Sequence, residues 1–234
     1  MSIAESIARI RGRMAQAARR AGRNPDEIAL MAVSKTFPPE RIREAHAAGQ
    51  RLFGENRVQE FDGKAGALRD LSGAEWHMIG HLQSNKASAA VELFDAVDSV
   101  DSLRLARKLD SASGQAGKNL PLLIEINVGG EAAKSGAAPD SGELEETLSA
   151  AGELEHIEIR GLMTIPPFTD DPEGARLYFR RLRNLRDEIA RRRLQRVSMD
   201  VLSMGMSHDF EVAIEEGSTC VRLGTAIFGE RSRA

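Results

Sequence analysis

The feature that most restricts the fold is a regular alternation of short apolar runs with longer amphipathic stretches. Each apolar run has the length of a strand, and enough chain for a helix separates it from the next. Parallel strands need crossover connections of this length, whereas antiparallel strands can be joined by two residues. The predicted strands are 28–34, 51–54, 75–79, 96–100, 122–127, 158–164, 199–203 and 219–223.

Eight such strands predict an α/β fold of the (β/α)8 barrel (TIM barrel) type. Crossovers between parallel strands are nearly always right-handed, and a barrel of this kind typically has about 250 residues, close to the 234 of this chain. The alternative is an open doubly wound sheet, but its GxGxxG fingerprint does not follow the first strand. The predicted helices between strands are 40–48, 85–94, 103–109, 142–151 and 174–193.

A further helix is predicted before the first strand. Ser2 and Glu5 have the spacing of a capping box, apolar residues follow at helical intervals, and Gly22 ends the pattern. We expect residues 1–22 to pack outside the barrel, and residues 1–234 to form one domain.

Charge and cysteine content limit the function. The net charge of −3 argues against a chain-wide attraction to nucleic acid or anionic membranes. The arginine-rich predicted helix 174–193 favours a solvated outer face over a nucleic-acid patch, because acidic residues are interleaved. One cysteine excludes an intrachain disulfide and a cysteine-rich metal site, and no metal site is predicted. No secretory signal or membrane-spanning stretch is visible, so we expect a cytoplasmic protein.

A lysine lies at the carboxyl end of the first predicted strand. Residues 28–33 are mostly apolar, Lys35 follows them, and Pro38 and Pro39 stop the strand. In α/β barrels the chemistry lies at this end of the strands. Lys35 can simply extend its ammonium group to solvent. Alternatively, partial burial lowers its pKa and allows it to condense with an aldehyde.

Two stretches near the carboxyl terminus have the composition of a phosphate site. In LSMGMSHDF, Gly205 permits a sharp turn, and Ser207 is predicted to cap the next helix. In VRLGTAIFG, Gly224 allows close backbone approach, and Thr225 offers an N–H and a hydroxyl group. Each stretch alone also fits an ordinary turn. Together they follow strands seven and eight, where such barrels usually bind phosphate.

An arginine within the last predicted strand is the third candidate. Arg222 precedes Gly224 by two residues and is expected to point into the barrel mouth. It either pairs with an acid such as Glu55 or donates to a ligand atom. An amine for an aldehyde, a phosphate site and a buried arginine for a ring nitrogen together indicate pyridoxal 5′-phosphate (PLP).

Seven short motifs spread along the chain together resemble those of a known family. AVSKT, FGENRVQE, WHMIGHLQSNK, KSG, RGLMTIP, LSMGMSHD and GSTCVRLGTAIFG are similar, in this order, to those of the pyridoxal phosphate homeostasis proteins, barrel-only relatives of bacterial alanine racemase. The resemblance implies that Lys35 forms the Schiff base with PLP and that Arg222 faces the pyridine nitrogen. It also implies that Asn56 lines the ring pocket and that Ser207, Gly224 and Thr225 hold the phosphate.

The resemblance further implies a carrier that takes part in vitamin B6 homeostasis without catalytic residues, with apo PLP-dependent enzymes as possible recipients. An arginine at the pyridine nitrogen disfavours its protonation, which weakens the ring as an electron sink. Racemases of this fold tolerate such an arginine, but they use a second base, a tyrosine from a second domain of a partner subunit. Here the only tyrosine, Tyr178, falls in a predicted outer helix, so we expect a non-enzymatic protein. Without the second domain of the racemases, we also expect a monomer. The alternative is a PLP-dependent amino-acid racemase with a loop histidine (His77, His81 or His208) as the base.

Overall fold

The computed structural model describes residues 1–131 and 134–230, so the predicted domain 1–234 includes residues outside this part. Eight parallel strands pair in sequence order, and β1 pairs with β8 to close the barrel. The predicted (β/α)8 fold is confirmed. The strands are β1 (Ala29–Val33), β2 (Leu52–Glu55), β3 (Glu75–Met78), β4 (Ala96–Val100), β5 (Leu120–Glu125), β6 (Ile157–Met163), β7 (Val197–Ser203) and β8 (Cys220–Leu223).

Helices cover the outside of the barrel. Each predicted helix is present, with ends that differ by a few residues, except that the one starting at Leu103 continues to Ala116. Two described helices were not predicted: one between β2 and β3, and a short one after β8. The helices are α1 (Ile3–Arg20), α2 (Pro39–Ala47), α3 (Val58–Ala65), α4 (Ala87–Leu93), α5 (Leu103–Ala116), α6 (Gly142–Ala150), α7 (Arg176–Arg191), α8 (Phe210–Glu215) and α9 (Thr225–Phe228).

The predicted amino-terminal helix is α1. The Ser2 hydroxyl accepts the Glu5 N–H at 3.2 Å, and the Glu5 carboxylate accepts the Ser2 N–H at 2.8 Å, so the predicted capping box is confirmed. Ile3, Ile7 and Ile10 are buried on one face of α1, which packs against α2, α8 and α9. The helix therefore lies outside the barrel, against the helices that follow β1, β7 and β8.

The arginine-rich helix α7 is held by a buried acid. Glu216 accepts hydrogen bonds from Arg176 at 3.1 Å and from Arg180 at 2.9 Å, and it lies 3.2 Å from Arg183. These arginines pair within the protein, which agrees with a structural role for this face. Within residues 1–131 and 134–230, no helix is long and apolar enough to cross a membrane.

Candidate functional site

A cavity of about 360 Å³ opens at the carboxyl end of the strands. Closure of the barrel brings three of the predicted residues to its wall, although they lie far apart in sequence: Lys35 after β1, Asn56 after β2 and Arg222 on β8. This size falls in the range of small-molecule sites, about 300–1,000 Å³. Other lining residues include Gly80, His81, Glu125, Lys134, Ile165 and Met206.

Lys35 lies in a tight turn directly after β1. The Phe37 N–H donates to the Ser34 carbonyl at 3.1 Å, which closes a four-residue turn with Lys35 and Thr36 at its centre. Thr36 has a φ of 65°, a left-handed conformation that is rare for a β-branched residue. The turn places the half-buried Lys35 at the cavity wall.

Arg222 is almost completely buried and donates to neutral groups. Its guanidinium donates to the Ser203 hydroxyl and to the Thr164 carbonyl, both at 2.7 Å. Burial lowers the pKa of the Arg222 guanidinium, although an arginine keeps its charge. The alternative of an ion pair with Glu55 is wrong, because the Glu55 carboxylate pairs instead with the Lys64 ammonium at 2.8 Å.

The two predicted phosphate-binding stretches meet beside the cavity. The Thr225 hydroxyl donates to the Ser207 hydroxyl at 3.3 Å, and Gly224 immediately precedes Thr225. Ser207 directly follows Met206, which lines the cavity. Ser207, Gly224 and Thr225 themselves are not among the described residues that line it. The structure thus brings together two hydroxyl groups at one edge of the opening, next to the start of α9.

The helix-capping role predicted for Ser207 is wrong. Helix α8 begins only at Phe210 and has Asp209 at its N-cap position. The Asp209 carboxylate accepts the Met206 N–H at 2.6 Å, so it stabilises the loop before the helix. The sharp turn predicted at Gly205 is present, with a φ of 96°.

Glu125 is a buried acid that sequence reasoning did not single out. It ends β5, lines the cavity and is only 6% exposed. Burial, together with the nearby negative charge of Asp101, raises the pKa of Glu125 to about 7, although Arg222 and His81 act in the opposite direction. Glu125 could have been predicted from its place at the end of a strand. Its apolar neighbours in the run 122–127, however, make it look like part of the core.

The three candidate histidines have different surroundings, and His77 lies on β3 rather than in a loop. His81 lines the cavity, and its Nδ1 lies 3.3 Å from the Asp101 carboxylate. His77 lines a cavity at the opposite, amino-terminal end of the strands, and His208 lies 3.1 Å from the Thr169 carbonyl. Tyr178 lies on α7, on the outside of the barrel, as predicted. Of these four residues, only His81 lines the cavity.

The barrel and its lysine–arginine cavity define the class of protein. The family model described as "Alanine racemase, N-terminal domain" matches residues 6–232. The chain is 46% identical over 231 residues to the pyridoxal phosphate homeostasis protein of Aquifex aeolicus, covering 99% of both chains. It is 44% identical to the protein of the same name from Escherichia coli, covering 98% of this chain and 97% of that one.

A solved structure agrees with these relatives. The structure of PipY from Synechococcus elongatus with PLP bound has a TM-score of 0.85 and 39% sequence identity, and the match covers 97% of this chain and 100% of that one. The chain belongs to the family of pyridoxal phosphate homeostasis proteins. The resemblance predicted from the motifs is thereby confirmed.

Proposed function

We propose that this protein binds PLP reversibly, through a Schiff base to Lys35, and takes part in intracellular vitamin B6 homeostasis without catalytic turnover. The observation that carries the proposal is the convergence of the Lys35 amine, Asn56 and the Arg222 guanidinium on one cavity of about 360 Å³. The family relationship supports it, because its relatives are named for pyridoxal phosphate homeostasis and PipY was solved with PLP bound.

The side chains around the cavity fit the chemical groups of PLP. Lys35 provides an amine for the aldehyde, and Ser207 and Thr225 provide neighbouring hydroxyl donors for the phosphate. Gly224 has no side chain to cover the backbone here, and a Cβ atom at this position would lie 3.3 Å from the Val33 carbonyl oxygen. Bound PLP supplies an aldehyde and an aromatic nitrogen; the protein supplies donors arranged around one opening.

Arg222 fits a ring nitrogen that accepts a hydrogen bond. A guanidinium group can only donate hydrogen bonds, and its bonds to Ser203 and Thr164 fix its orientation. The positive charge of Arg222 therefore disfavours a proton on the nitrogen it faces. This arrangement reduces the capacity of the ring to stabilise negative charge, which disfavours reactions that need the ring as a strong electron sink.

The expected energetics explain why a covalent link is useful. Each charge-assisted hydrogen bond to a phosphate contributes roughly 1.5–3 kcal/mol. Immobilising a ligand costs about 4–15 kcal/mol, so the hydroxyl pair and nearby N–H groups alone would hold PLP weakly. A reversible bond to Lys35 adds affinity and still permits release.

A spectroscopic titration tests the proposal. Wild-type protein should develop the visible absorption of a Schiff base when PLP is added, and Lys35→Ala should not. Lys108→Ala removes an exposed lysine on α5 and is a matched control that should behave like wild type. Equal absorption in Lys35→Ala and wild type would overturn the assignment of Lys35.

A second candidate function is amino-acid racemisation. It is favoured by His81, which lines the same cavity as Lys35 and could serve as a second base. Proton exchange at the Cα atom of free amino acids in deuterated water separates the two functions. The carrier proposal predicts no exchange above background; rapid exchange that needs both Lys35 and His81 would support the racemase.

The proposal extends to partners and location. We infer that the protein acts in the cytoplasm as a monomeric single domain, with apo PLP-dependent enzymes as recipients of the cofactor and no binding to nucleic acid or membranes. The pairing of the α7 arginines with Glu216 supports the lack of a nucleic-acid surface there.

A further inference from the structure

The turn that carries Lys35 has an unfavourable backbone conformation. Thr36 adopts a φ of 65°, and only the third residue of this turn has a positive φ, which is the pattern of a type II turn. Glycine is the usual residue at that position, because a left-handed conformation costs other residues roughly 1–2 kcal/mol. Contacts around the turn must therefore stabilise this conformation.

A carboxylate from α3 holds the strained residue. The Thr36 N–H donates to Glu60 Oε1 at 2.5 Å, and the Lys64 ammonium lies 3.4 Å from the same oxygen. Because Glu60 and Lys64 are four residues apart on α3, they lie on one face of the helix and act as a pair. This pair fixes the peptide group immediately after Lys35.

The same ammonium group also fixes the peptide group before Lys35. Lys64 donates to the Ser34 carbonyl at 3.1 Å and pairs with the Glu55 carboxylate at 2.8 Å. Glu55 is fully buried and accepts the Ser34 hydroxyl at 2.6 Å. Lys64 is only 8% exposed, so these partners are needed to compensate for its burial.

We infer that Glu60 and Lys64 are positioning residues that fix the direction in which the Lys35 side chain enters the cavity. Neither belongs to the described residues that line the cavity, so they act through the backbone of Ser34 and Thr36. The inference rests on the proposed function, in which Lys35 bonds to PLP. It assigns a role in that bond to α3, none of whose residues lines the cavity.

The test separates bond formation from binding. The rate of covalent bonding to PLP is followed by stopped-flow absorbance in wild type, Glu60→Ala and Lys64→Met. The affinity for deoxypyridoxine phosphate, an analogue without the aldehyde, is measured by calorimetry. Glu145→Ala is the matched control, because it removes a similar ion pair to Arg192 far from the turn.

We expect both α3 variants to bond about ten- to a hundredfold more slowly, since small displacements of a reacting group have effects of this size. Their affinity for the analogue should remain within about twofold of wild type, and the control should change neither value. A slower bonding rate with an unchanged analogue affinity would support a positioning role, because a general loss of structure would lower both the rate and the affinity.

Two results would overturn this inference alone. One is an unchanged bonding rate in Glu60→Ala, whose side chain is 30% exposed and whose loss should leave the protein folded even if Lys64→Met does not fold. The other is an equal loss of bonding rate and analogue affinity. Absence of bonding in the wild-type protein would instead overturn the proposed function and this inference with it.

Discussion

At the scale of single residues, burial decides what the charged groups at the barrel mouth can do. Glu125 and Arg222 are both nearly inaccessible to water, and burial disfavours the charged form of each. The arginine keeps its charge because its ordinary pKa is far above neutrality. The pKa of Glu125 rises to about 7, so this carboxyl changes its protonation state near neutral pH.

This shift predicts a pH-dependent effect of Glu125→Gln on stability. Between pH 4.5 and about 7 the unfolded chain has released the Glu125 proton and the folded protein still binds it, so the wild-type free energy of unfolding falls as pH rises. The Glu125→Gln side chain does not ionise, so it does not contribute this fall in the free energy of unfolding. Its stability relative to wild type should therefore increase over the same range, by up to about 3 kcal/mol, in urea denaturation at several pH values.

An exposed carboxyl provides the control for this measurement. The hydrogen bond from Arg192 lowers the pKa of Glu145, and the unfolded carboxyl has released its proton by about pH 6, so this group is ionised in both states above that pH. The difference between Glu145→Gln and wild type should stay constant from there upward. A pH-independent difference for Glu125→Gln as well would contradict the shifted pKa of Glu125.

At the scale of elements, short turns after the strands determine where the functional groups lie. Gly205, directly after β7, has a φ of 96° and lies against α8. A Cβ atom at this position would be 2.5 Å from the Ala213 Cβ atom and 3.0 Å from the Phe210 Cα atom. Glycine thus allows α8 to pack close to the loop that carries Ser207.

Gly205→Ala should therefore lower the free energy of unfolding by about 2 kcal/mol or more, from backbone strain and overpacking. Gly12→Ala is the matched control, because Gly12 lies in α1 with nothing within 4 Å of the added Cβ atom. It should raise stability by about 0.5–1 kcal/mol. Urea denaturation measures both; a neutral Gly205→Ala would contradict the tight packing at this turn.

The strands could be predicted from sequence, because buried parallel strands are nearly continuous apolar runs. Helix α3 could not: its sequence VQEFDGKA buries only Val58, Phe61 and Lys64, contains Gly63, and has no side-chain cap. As a result, Lys35 could be predicted as a site residue from the sequence, but the contacts of Glu60 and Lys64 with the turn around it could not. The start of α8 was misplaced because Ser207 is a good capping residue by type, whereas the helix begins only after Asp209 and has no side-chain cap.

At the scale of the whole molecule, closure of the barrel creates the candidate site. The strands that carry Lys35 and Arg222 are the first and last in sequence, and they become neighbours only because β1 pairs with β8, with Met31 opposite Arg222. The sequence predicted this convergence once a closed barrel was assumed. It could not show that Arg222 bonds to Ser203 and Thr164 rather than Glu55, because that depends on side-chain packing.

The surface of the barrel predicts a monomer. In the part of the chain that the structure describes, the exposed large apolar residues are Met1, Ile165, Phe168 and Leu177. These four residues of the described part are too few to form the broad apolar surface that a stable dimer needs. Sedimentation at micromolar concentration should give the mass of one chain, and the mass of two chains would contradict this expectation.

The amine of Lys35 is expected to bond reversibly to PLP at the mouth of the barrel. Borohydride reduction of the protein loaded with PLP, followed by peptide mass spectrometry, detects this bond. We predict one cofactor group per chain, attached to the peptide that contains Lys35, and loss of this label in Lys35→Ala. A label concentrated on any other lysine, or no label in the wild-type protein, would show that Lys35 does not form the bond.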